Sequence, residues 1–69
     1  MTVAQLIEQY QAKVAECDAG LNQLKEFNAD RRKHNDERGM VFARGEFQSL
    51  DKQRQIYFQM VKDLEDIND

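Results

Sequence analysis

Apolar side chains recur through the first half of the chain at alternating steps of four and three: Val3, Ile7, Tyr10, Val14, Cys17, Leu21 and Leu24. That spacing lays a single stripe along one face of an α-helix, the heptad seam of a coiled coil. Continued in register, the seam reaches Asn28 and Arg31, so it turns polar towards the middle of the chain, while Leu6 and Phe27 flank and widen it. A second seam follows: Met40, Ala43, Phe47, Leu50, Arg54, Tyr57, Val61 and Leu64, interrupted only by Arg54. No alternation of period two competes with either segment.

Punctuation along the chain bounds these helices. Thr2 followed by Gln5 is a capping-box pair placed just before the first apolar residue. Arg31, Arg32 and Lys33 suit a helix C-terminus, whereas Asn35, Asp36 and Glu37 suit an N-terminus, with Asn35 as the expected cap. The pattern predicts one helical-hairpin domain over residues 1–69, with helix 1 at about 3–33, a turn at about 34–36 and helix 2 at about 37–67. Each arm would be about 46 Å long at 1.5 Å per residue. Folding about residue 35 sets Ile7 against Leu64, Tyr10 against Val61, Val14 against Tyr57, Leu21 against Leu50 and Leu24 against Phe47. Stripes that match along both arms predict an all-α antiparallel hairpin, coiled-coil-like. The rival arrangements are a first helix that ends late with Gly39 as its C′ residue, or a longer loop over 34–45 holding Gly39 and Gly45. Loops of that length are uncommon in compact domains.

Composition agrees with long helices: the 69 residues include no proline and only three glycines, at 20, 39 and 45. The lone Cys17 precludes an internal disulfide, and no apolar run approaches a signal or membrane segment, so a cytoplasmic location away from membranes is the expectation.

Two matched helices share only one seam, yet helix 2 carries more apolar surface than that seam uses. Ile56, Met60 and Ile67 form a second stripe, Phe42 falls in the same register, and Phe58 flanks the seam from the other side. Phe42, Ile56, Phe58, Met60 and Ile67 are therefore the expected dimer or partner interface. A homodimer giving a four-helix bundle is the leading expectation, and docking of a different protein the competing one.

Charge adds a candidate contact. Residues 31–44 carry five bases and two acids, a net +3 between two arms that each carry −3. Arg31, Arg32, Lys33, Arg38 and Arg44 are candidates for an anion or nucleic-acid contact at the hairpin tip. The overall charge of −3 makes nucleic acid the alternative rather than the leading partner. Chemistry is otherwise absent from the pattern. Cys17 sits on the seam, where cysteine acts as a small hydrophobe, and His34 sits in the turn without clustered ligands. Neither catalytic nor metal residues nor a cofactor are expected. The function expected is a non-enzymatic protein–protein interaction module: an adaptor, scaffold or small regulator.

Overall fold

A computed structural model describes residues 1–68. Two helices, α1 (Val3–Lys33) and α2 (Glu37–Asn68), pack side by side as a hairpin. The hairpin is a rod of 51 × 15 × 14 Å. Its radius of gyration, 15.7 Å, exceeds the roughly 11 Å of a compact chain of this length.

α1 begins as its sequence dictates. Gln5 N–H donates to Thr2 Oγ1 at 3.1 Å, and Thr2 N–H donates to Gln5 Oε1 at 2.9 Å, closing the capping box. Two donors that the first turn would leave orphaned are thereby satisfied.

At the other end of α1 the chain reverses in three residues. Asn35 N–H donates to the Arg32 carbonyl at 3.1 Å and Asp36 N–H to the Arg31 carbonyl at 2.9 Å. This is the Schellman pattern, with Asn35 in the left-handed position at φ 55°. Asn35 is thus not the cap of helix 2, as the sequence suggested. The cap is Asp36, whose Oδ1 accepts from Gly39 N–H at 3.0 Å. Asparagine tolerates left-handed backbone and ends α1, which frees the aspartate one residue later to start α2. Gly39 and Gly45 lie inside α2 rather than in a loop.

Gly39 has a steric reason to be glycine. A Cβ there would lie 2.5 Å from Asp36 Oδ2 and 2.8 Å from Arg31 Cδ. Gly45 faces open space, and Gly20 lets Leu50 approach to 3.0 Å of where a Cβ would sit.

The two seams face each other along the rod. Cys17, Leu21, Ala43 and Val61 are buried, and the remaining apolar seam residues are half-buried. Tyr10 and Tyr57 stack across the interface with ring centroids 5.9 Å apart. Arg54, the one charge in the second seam, turns out of it and donates from Nε to Asp18 Oδ1 on α1. The guanidinium there finds a half-exposed carboxylate.

Among the described residues four are buried, a thin core, and none of the large side chains is fully enclosed. The exposed area is 5431 Å², against about 4,500 Å² for a compact protein of 8.1 kDa. The excess is comparable to the roughly 800 Å² that one partner contributes to a standard protein interface.

Candidate functional site

Helix geometry divides the exposed apolar residues between two flanks. At 3.6 residues per turn, Phe42, Ile56, Met60 and Ile67 fall within about 40° of one another around α2. All lie on the same side of the seam. Phe42, Ile56 and Ile67 are 59%, 59% and 72% exposed. Met60 is half-buried, sharing a shallow groove with Leu6, Tyr10 and Leu64.

α1 extends this flank at the tip. Phe27, 40% exposed, meets Phe42 edge-to-face with centroids 6.4 Å apart. Arg31 lies over the Phe27 ring, its Cζ 5.4 Å from the centroid. One side of the rod thus presents an aromatic pair at the tip, Ile56 near the middle, and Leu6, Met60 and Ile67 at the open end.

Phe58 belongs to the opposite flank. Its ring lies between two cations, with Lys62 Nζ at 4.9 Å and Arg54 Cζ at 5.6 Å from the centroid. Both contacts come from α2 itself. The five interface candidates therefore do not form one patch: four share a surface and Phe58 does not.

The basic candidates also separate. Arg31 is engaged, pairing with Asp30 and, at 3.4 Å, with Asp36. The hydrogen bond from Arg31 holds the Asp30 carboxyl below its usual 3.8 and raises the guanidinium in turn. Arg31 thus ties the last turn of α1 to the cap of α2 and is not offered to a ligand. Arg32 and Arg44 come together with Lys25, which the sequence pattern did not single out. The three border a groove floored by Leu24, Ala43 and Phe47, with Lys25 Nζ 6.0 Å from the Phe47 centroid. Among the described residues no carboxylate lines that groove. Lys33 and Arg38 are exposed at the tip outside it.

Cys17 and His34 have structural surroundings of different kinds. Cys17 is buried on the seam. His34 closes the C-terminus of α1, its Nδ1 donating to the Asp30 carbonyl oxygen at 2.8 Å. Among the described residues no group of three or more histidines, cysteines and carboxylates is placed to hold a metal ion. No helix among them is long and apolar enough to cross a membrane.

The fold and its surface define a helical hairpin with one uncovered apolar flank. No protein-family model, curated protein or solved structure matches the chain.

Proposed function

We propose that this chain is a non-enzymatic interaction module, an adaptor, scaffold or small regulator that acts as a homodimer. The observation that carries this proposal is the flank of Phe27, Phe42, Ile56, Met60 and Ile67. These residues run along one side of a rod whose own core contains four buried residues among those described. Association through that side would convert a two-helix layer into a four-helix bundle with an enclosed centre. Interfaces of this kind are self-complementary, so each interface residue acts twice in a dimer.

That doubling makes a single substitution informative. Ile56→Glu would place two carboxylates in the dimer interface and is expected to weaken dimerisation by on the order of a hundredfold or more. Val41→Glu is the control, because Val41 is 66% exposed and lies on the outer side of α2, away from that flank. Sedimentation equilibrium of both variants is the measurement. Equal dimerisation of the Ile56→Glu variant and the native chain would refute the proposal.

A second function, contact with nucleic-acid phosphates at the tip, draws support from the grouping of Lys25, Arg32 and Arg44. Three phosphate contacts would give a slope of about −2.7 in log affinity against log salt on duplex DNA. The acidic arms on either side confine any such contact to the tip. Titration of a labelled duplex at low salt tests it: no binding, or binding unchanged by Arg32→Glu with Arg44→Glu, removes it.

A further inference from the structure

We infer that the two hairpins pair antiparallel, the tip of one lying along the open end of the other. This inference rests on the homodimer reading and adds orientation and register to it.

Apolar matching alone does not choose a direction. Parallel hairpins would set Phe42 on Phe42 and Ile67 on Ile67, and antiparallel ones would set Phe42 on Ile67, both apolar contacts. Charge does choose. The tip half of the rod, residues 19–52, carries seven bases and six acids, a net +1. The open half, residues 1–18 with 53–68, carries three bases and six acids, a net −3. A parallel pair would hold two −3 ends side by side and two +1 ends side by side. An antiparallel pair sets each −3 end beside a +1 end. The ends are far apart on a 51 Å rod, whereas charges are screened within about 8 Å at physiological salt. Each end therefore responds only to what lies beside it, and the whole-chain charge does not average the preference away.

The stripe also fixes the register. Phe42 opposes Ile67 of a second copy when α2 crosses its mate midway between Arg54 and Gln55. The same register sets Met60 against Ser49 of the second copy, a bulky side chain against a small one. The aromatic pair Phe27–Phe42 then seats on the Leu6, Met60 and Ile67 end of the other hairpin.

Intermolecular distances between spin labels test the orientation. Ala29 and Ala4 are exposed, near the tip and the open end respectively. In a Cys17→Ala background, label is attached to Ala29→Cys or to Ala4→Cys. In the inferred register each site lies 12 to 13 residues from the dimer centre, about 19 Å at 1.5 Å per residue. Like-labelled dimers are expected to show about 40 Å, and mixed dimers of the two variants less than about 25 Å. The reverse, short like-labelled and long mixed distances, overturns the inference while leaving a dimer intact. No intermolecular distance, with a monomer in sedimentation, overturns the homodimer itself. The native chain gives a second readout free of substitution: dimerisation is expected to be several-fold tighter at 50 mM than at 300 mM salt. Dimerisation that tightens with added salt contradicts the antiparallel pairing.

Discussion

At the scale of single residues, the glycines of α2 have opposite roles under one helix propensity. Alanine is favoured over glycine in a helix by about 1 kcal/mol. At Gly45, where a Cβ meets nothing within 4 Å, Gly45→Ala should raise stability by about 0.5–1 kcal/mol. At Gly39 the same change would drive a Cβ into Asp36 and Arg31, and these two side chains hold the turn. Gly39→Ala should therefore destabilise, by about 1 kcal/mol or more. Urea melts of the two variants read the difference in sign, and stabilisation at both positions would show that the turn does not need the Arg31–Asp36 contact. Arg54 is a second residue-scale case. Its pairing with Asp18 is between groups about one-third and one-half exposed, and such pairs contribute about 0–1 kcal/mol. Arg54→Leu, extending the seam without interruption, should stabilise the hairpin by up to about 1 kcal/mol. It should also broaden the range of assemblies seen by sedimentation, because a polar seam residue restricts register.

At the scale of the elements, the turn is sensitive to acid. Asp30 and Arg31 close α1, and Arg31 reaches on to Asp36, the cap of α2. The Asp30 carboxyl is held below its usual 3.8 by the hydrogen bond from Arg31. A group depressed on folding contributes stability that is complete above its unfolded value and is lost as pH falls through the folded one. The tip should therefore keep its stability at neutral pH and loosen below about pH 4. Hydrogen exchange at Asn35, Asp36 and Gly39 would follow this, and Asp30→Asn should abolish the pH dependence that Asp30 supplies. The hairpin itself was legible in the sequence because both seams keep the heptad alternation and no proline interrupts them. Thr2 and Gln5 likewise marked the start of α1 unaided. The start of α2 was less legible. Asn35 and Asp36 are both good caps, and only the left-handed backbone at Asn35 assigns the role to its neighbour. The edge-to-face pair of Phe27 with Phe42, and the grouping of Lys25 with Arg32 and Arg44, depend on how the two helices face each other laterally. Spacing along one helix carries no such information.

At the scale of the whole molecule, a 51 Å rod with four buried residues among those described would, in the proposed homodimer, be half of a bundle. Four of the five apolar candidates on α2 share one flank, with Phe58 set apart beside its own cations on the other and Val41 exposed on the outer side. The basic residues divide similarly: Arg31 serves the fold, while Arg32, Arg44 and Lys25 border an open groove. A dimer closed through the apolar flank would leave that groove outward on each copy, at opposite ends of an antiparallel assembly. The most direct test of this account is sedimentation equilibrium of the native chain at micromolar concentration, with helicity followed by circular dichroism on dilution. The expected result is a mass twice 8.1 kDa, with helicity lost as the dimer dissociates. A monomer of 8.1 kDa that keeps full helicity and melts cooperatively at a concentration-independent temperature would contradict it.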